Sequence, residues 1–397
     1  MNVTFTAQTA LFLTRALRST SKHTRRRHRR CNLIVRDSTP GKRMTLRRWR
    51  EVIRELSGRE FDGDVVSIAS DTKKNRPHSA HISSIVYERR DALPAMSFVR
   101  VSDGVAISGP ELLFVELARE LPLAELLLVG FELCGGFSRD AVNPRCGDVV
   151  FGVAPATSTE RIEAFLDQAR WLRGASAARE ALGYLSDNAW SPTEAVAAIM
   201  ASLPLVEYGY ELGPCVLNKR VHAPGNLARA VSKSSRVPDI LFAGTRVGLN
   251  YDGAVHLDLE SVANAGSEFG SNPGDLASRL ALEEAMRQVR AKVVDDIRRG
   301  RELAAGGYVV FPITKEDLYE QGAFDRIMLQ VMAAIEQFDG RDFGRQRRIV
   351  AMPAFQAGRQ ELLWSLIPGD GEARSARMRR MQLPGGPPEL TELEIGF

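Results

Sequence analysis

VPDILFAGTRVGLNYDGAVHLDLE (residues 237–260), rejoined after a polar interval by KVVDDIRRGRELAAGGYVVFPITKEDL (292–318), decides how this chain is read. Two apolar runs, Pro238 to Phe242 and Arg246 to Asp252, flank Ala243–Gly244. Short apolar runs around a Gly-containing pair predict a β-hairpin. With those two residues as the loop, Phe242 pairs with Thr245 and Asp239 stands opposite Gly248. Strand side chains alternate between faces. Asp239, Gly248, Asn250 and Asp252 therefore share one face, and Ile240, Phe242, Val247, Leu249 and Tyr251 take the other, toward the core. Asp239 and Asn250 become diagonal cross-strand neighbours, roughly 7–8 Å apart at the backbone, with Gly248 leaving open space between them.

Carboxylates converging on one space, with no compensating arginine in the strands, repel unless they are protonated or share a cation. Oxygen donors of this kind suit a hard divalent cation such as Mg²⁺. Asp239, Asn250 and Asp252 are the candidate metal ligands, and His256 is a candidate ligand or proton carrier. A helix over Leu282–Leu303 places Lys292, Asp296, Arg299 and Leu303 on one stripe. An intrahelical salt-bridge ladder explains the same spacing. AAGGYVVFPIT then stops the helix and opens a strand, which completes a strand–strand–helix–strand unit.

Upstream, TLRRWREVIRELS (45–57) reads as an amphipathic helix with Thr45 as N-cap. VVSIAS, ISSIVYER, SFVRV and GVAIS, between Val65 and Ser108, read as strands, and Gly109 to Phe137 as two helices split at Pro122. From Pro155 the pattern is helical. Ser191, Pro192 and Glu194 form the N-cap, first-turn proline and capping-box partner of a further helix.

Charge is unevenly placed. The chain has 397 residues, 53 Lys and Arg and 49 Asp and Glu, 44% of it hydrophobic. Residues 1–36 hold nine of the basic residues and no acid, so the remainder has 44 basic against 49 acidic residues. The run Arg25, Arg26, Arg27, His28, Arg29, Arg30 suits a flexible arm that finds nucleic-acid phosphates. An organellar transit peptide and a solvated disordered tail share that composition. Four widely spaced cysteines form neither a zinc pattern nor a disulfide framework. No apolar run approaches the roughly 20 residues of a membrane-spanning helix, so a soluble, cytoplasmic protein without a membrane partner is expected.

The pattern PDxxF…VxxxYDGxxH followed by DDIRRxxxLxxxGYxVxxxTxxDL resembles a bacterial family of the PD-(D/E)xK superfamily related to the very-short-patch mismatch endonuclease. SPTEAVAAIMASL…LNKRV matches the first helix and leading strand of that family, so the resemblance covers about Ser191 to Leu318, less than a third of the chain. It implies metal-dependent phosphodiester hydrolysis on DNA. On this resemblance Glu194 is the first-helix acid, Asp239 the Asp of the PD motif, Asp252 and His256 the residues flanking the Gly, and Asp296 and Arg299 the helix pair, with Lys292 supporting. Asn250 stands where the family usually carries Glu, and no lysine follows in the (D/E)xK position, where Asp252 stands instead. SGPELLFVELARELPLAELLLVGFELCGG (108–136) loosely resembles the region preceding such domains in AbiEi-type antitoxin-like proteins. That likeness implies a non-catalytic regulator binding DNA or a toxin-like protein partner.

The expectation is an α/β chain: a basic disordered arm (1–36), an α+β domain (37–154), a helical connector (155–189), a three-layer restriction-endonuclease-like domain with a mixed sheet (190–345), and a tail (346–397).

Overall fold

The structure, a computed structural model, describes residues 2–21, 29–34, 45–77, 79–225, 229–252, 259–271 and 275–369. The chain is mixed α/β and divides into two compact units between Ile199 and Met200, with Leu366–Asp370 returning to the first unit.

The first unit is built on a six-stranded sheet of β1 (Val3–Phe5), β2 (Arg29–Cys31), β3 (Val66–Ser70), β4 (Ile82–Val86), β5 (Phe98–Ser102) and β6 (Val105–Ser108), in the order β2-β5-β6-β1-β3-β4. β1 runs parallel to β6 and antiparallel to β3. Helices α1 (Ala7–Ser21), α2 (Leu46–Ser57), α3 (Pro110–Leu117), α4 (Leu123–Cys134), α5 (Thr159–Gln168) and α6 (Ala175–Leu182) complete it. A two-stranded ribbon of β7 (Phe137–Ser138) and β8 (Val150–Phe151) is antiparallel. Thr45 caps α2, its hydroxyl accepting from the Arg48 amide. The helix puts Trp49 and Ile53 wholly inside.

The disordered-arm reading is corrected here for residues 2–21 and 29–34. Val3, Phe5, Ala10, Leu11, Leu13 and Ala16 are core residues, and β1 lies inside the sheet. Composition missed this because the acids that neutralise the segment stand about a hundred residues later. Arg15 makes a bidentate ion pair with buried Glu132 (2.9–3.2 Å). Arg18 donates to the carbonyls of Glu132 and Gly135, at the C-terminal end of α4, and to that of Ala154. Cationic donors favour a helix C-terminus, where the last carbonyls lack partners and the helix dipole is negative. The Ala7 amide donates to buried Glu116 (2.8 Å). The connector reading of 155–189 is also revised, because α5 and α6 pack on α3, and α6 on α4, within this same unit.

Helix α7 (Pro192–Ser202) crosses the division between the units. The second unit carries a four-stranded sheet of β9 (Cys215–Leu217), β12 (Ile240–Phe242), β13 (Val247–Asp252) and β14 (Val309–Thr314), in the order β14-β13-β12-β9. β10 (Val221–His222) and β11 (Ser235–Arg236) form a separate ribbon. Helices α8 (Leu259–Ser271) and α9 (Leu276–Ala305) follow β13, and α10 (Lys315–Tyr319) and α11 (Ala323–Asp339) follow β14. β9, β12 and β13 are antiparallel neighbours, and β13 and β14 are parallel. Two further helices, α12 (Gly344–Val350) and α13 (Pro353–Leu366), occupy part of the stretch expected to be a tail. They are ordered because Ile349 and Phe355 pack with Leu205 and Tyr208 in a small apolar cluster. The rest of that stretch, from residue 370, lies outside the described residues.

Cys31, Cys134, Cys146 and Cys215 form no disulfide. Among the described residues no helix is long and apolar enough to cross a membrane.

Candidate functional site: an oxygen corner closed by arginine

The hairpin forms, but its register differs by two residues from the two-residue-loop expectation. Ile240 pairs with Leu249 and Leu241 with Gly248, which leaves a four-residue connection over 243–246. The physical reason is Thr245. Its amide and hydroxyl both donate to the Phe242 carbonyl (3.0 and 2.9 Å), and the hydroxyl accepts from the Val247 amide (3.0 Å). Gly244 takes the left-handed conformation (φ 76°) that this turn needs. A shift of two preserves side-chain parity, so Asp239 and Asn250 still share a face. They now stand directly opposite rather than diagonal. The space over Gly248 is closed: a Cβ there would lie 2.3 Å from the Ile240 carbonyl oxygen and 2.8 Å from the Leu241 side chain.

Asp239 and Asn250 bond crosswise. The Asp239 amide donates to Asn250 Oδ1 (3.1 Å), and the Tyr251 amide donates to Asp239 Oδ2 (2.7 Å). Into the remaining oxygens comes Arg299, from the sheet-facing side of α9. Its Nη2 donates to Asp239 Oδ1 (2.9 Å), to Asn250 Oδ1 (2.8 Å) and to the Val237 carbonyl. Three oxygens thus converge on one cation, and that cation is a guanidinium. The side chains of the pair retain only 18% and 15% of their exposure, so the charge attraction is only partly screened.

Lys292 and Asp296 make the intrahelical pair that the ladder spacing allows (3.5 Å), and Arg299 leaves that ladder for the sheet. Next to the corner stands a second ionic cluster that the sequence reading did not single out. Arg236 binds Glu302 (2.6 Å), Asp295 (3.0 Å) and Ser232 (3.0 Å), and Lys233 binds Asp295 (2.9 Å). The Arg236 hydrogen bond, aided by Ser232, holds the Glu302 carboxyl down at about 2 against the opposing effect of burial. The signal was available: 295, 299 and 302 fall at i, i+4 and i+7, one face of α9. A small depression beside this cluster is lined by Val221, His222, Pro224, Lys233 and Tyr308.

The other predicted residues are placed as follows. Glu194 belongs to α7, where its carboxylate accepts from the Ser191 hydroxyl (3.0 Å) and the Trp190 amide (3.1 Å), while its own amide donates to Ser191 (3.2 Å). Ser191 thus caps the helix, and Glu194 is held at the start of its own helix. Asp252 ends β13 opposite Thr314, and its side chain lies outside the description. His256, Arg25, Arg26 and Arg27 fall outside the described residues as well. Arg29 is exposed on β2, whereas Arg30 is committed to Glu111 (2.6 and 2.9 Å). Among the described residues, no group of three or more His, Cys, Asp or Glu side chains is arranged to hold a metal. Asp239 and Asn250 are brought together with Arg299; Glu194 is instead occupied at its helix start.

Comparison with protein-family models, with curated proteins and with solved structures finds no match to this chain.

Proposed function

We propose that the second unit is a three-layer, endonuclease-like domain that engages DNA without hydrolysing it, its cation corner being held by Arg299. Support for the fold comes from an antiparallel hairpin followed by a helix and a strand parallel to its second member, with α9 and α11 against the sheet. The order of the PD, YDG and DDIRR segments along that unit supports DNA as partner. The observation that carries the non-hydrolytic reading is the convergence of Asp239, Asn250 and the Val237 carbonyl on one guanidinium. A metal-activated water needs those oxygens for its cation. With Arg299 in place they do not fit Mg²⁺. Asn250 suits this arrangement, since a neutral amide beside Asp239 leaves one negative charge for one guanidinium.

The experiment compares Mn²⁺ binding, plasmid cleavage and duplex binding in the parent chain and in variants. The parent is expected to bind duplex DNA with affinity that falls as salt rises, to bind no Mn²⁺ in the millimolar range, and to leave plasmid intact. Arg299→Ala is expected to gain Mn²⁺ binding, which Asp239→Ala added to it removes. It should also lose about 1–3 kcal/mol of unfolding free energy, because it leaves a partly buried carboxylate without its partner. Parent cleavage that disappears in Asp239→Ala with Asp252→Ala would overturn the reading in favour of an active nuclease. Absence of duplex binding would remove DNA as the partner.

A further inference from the structure

Five of the large apolar side chains left exposed among the described residues lie on α9: Leu276, Leu280, Met286, Val293 and Ile297. Met286 and Ile297 are each 58% exposed and Val293 40%. A helix normally turns such residues toward a core. The sheet-facing side of α9 is already taken by Arg299, Glu302 and buried Leu303, and α8 packs along the helix as well.

Met286, Val293 and Ile297 belong to a longer stripe, in which Leu282 and Val289 are half-buried. Leu282, Met286, Val289, Val293, Ile297, Gly300 and Ala304 are all apolar or small and recur at steps of four and three. At 3.6 residues per turn they fall within about 80° of the helix circumference, along about 33 Å. The stripe is symmetric about Val293: its members lie four, seven and eleven residues to either side. Bulk is not symmetric. Leu282 and Met286 fill one end, and Gly300 and Ala304 the other, both exposed, with nothing within 4 Å of a Cβ built on Gly300.

We infer that this stripe is the self-association surface of the chain, packing α9 of two copies antiparallel about a two-fold axis at Val293. In that arrangement each stripe position meets another: Val289 faces the second copy's Ile297, Met286 its Gly300, and Leu282 its Ala304. Large side chains meet small ones at both ends, the interdigitation that close helix packing requires. Charge agrees as well. A two-fold perpendicular to both helices brings like flanks together, which sets Glu283 close in height to Arg301 of the other copy. Among the described residues of its own chain, Glu283 bonds only the exposed Arg279 (3.0 Å). A contact of this kind is isologous and closes at two copies. A surface about 33 Å by 10 Å on each copy is smaller than a standard protein interface, so weak association, in the range of tens to hundreds of micromolar, is expected. This inference does not depend on the DNA reading.

Sedimentation equilibrium of the full chain between about 1 and 200 µM tests it. The expected result is a monomer–dimer equilibrium, shifted at least tenfold toward monomer by Met286→Glu with Ile297→Glu, with the circular dichroism spectrum unchanged. Because exposed positions are altered, folding is retained. Glu283→Arg and Arg301→Glu should each weaken the dimer, and the two together restore it. Val293→Cys should give a bismaleimide-crosslinked dimer well above the parent's background, whereas Arg287→Cys, on another side of the helix, should not. A chain that stays monomeric throughout overturns the inference. So does a dimer that survives the double glutamate variant, or association that appears only on anionic vesicles.

Discussion

Deletion of residues 2–21 is expected to abolish folding of the first unit, seen as rapid proteolysis across 45–199 under conditions where the parent resists. The segment supplies β1, between β6 and β3, so its loss splits the sheet into two pieces, each with a new open edge. It removes Phe5, Leu11, Phe12 and Leu13 from the core, each contributing about 1.5–3 kcal/mol by burial. It also takes Arg15 from buried Glu132 and the Ala7 amide from buried Glu116. A domain holds only about 5–15 kcal/mol in reserve, and these losses together exceed it. Phe5→Ala is the milder form of the test. Phe5 is wholly buried and meets Trp49 edge-on at 5.7 Å, so truncation should cost about 3–5 kcal/mol. A deletion that unfolds like the parent would restore the reading of a dispensable arm.

This is also where the sequence misleads, and the reason is distance. Arg15 and Glu132 are separated by 117 positions, and Arg30 and Glu111 by 81. A local count of charge sees an acid-free segment and infers a solvated tail, although Val3, Phe5, Leu11 and Leu13 carried a legible apolar pattern. What depends on neighbours in sequence was legible throughout. Thr45 and Ser191 cap the helices they precede, the four short runs between 65 and 108 are strands, and Pro122 separates two helices. The faces of the hairpin followed from period two. Its register did not, because one threonine hydroxyl replaced a two-residue loop by four. At the site, Asp239, Asn250 and Arg299 were each singled out. That Arg299 occupies the space assigned to a cation depends on how α9 is rotated against the sheet, and no local pattern encodes that.

Stability of the first unit is expected to be greatest near pH 4.5–5 and to fall as pH rises toward 7. Two buried glutamates set this. Burial pushes the Glu116 carboxyl from its ordinary 4.5 up to about 7, although the Ala7 amide, the Tyr87 hydroxyl and the Ser108 hydroxyl all donate to it. Burial also pushes Glu132 upward, but Arg15 and Arg139 outweigh it and hold that carboxyl at about 2. The two act in opposite windows. Glu116 binds its proton more tightly folded than unfolded, so its contribution is complete below 4.5 and is lost as pH rises to about 7. Glu132 binds its proton less tightly folded, so its contribution is complete above 4.5 and is lost as pH falls toward 2. Each interval corresponds to about 3 kcal/mol. Glu116→Gln isolates the first, since the amide keeps an acceptor and cannot ionise. Urea unfolding of parent and variant from pH 4.5 to 8 should show a difference that grows in the variant's favour as pH rises and levels off above about 7. A difference that stays flat across that range would mean that the three donors, and not burial, govern Glu116, and that the carboxylate is charged inside the fold at neutral pH.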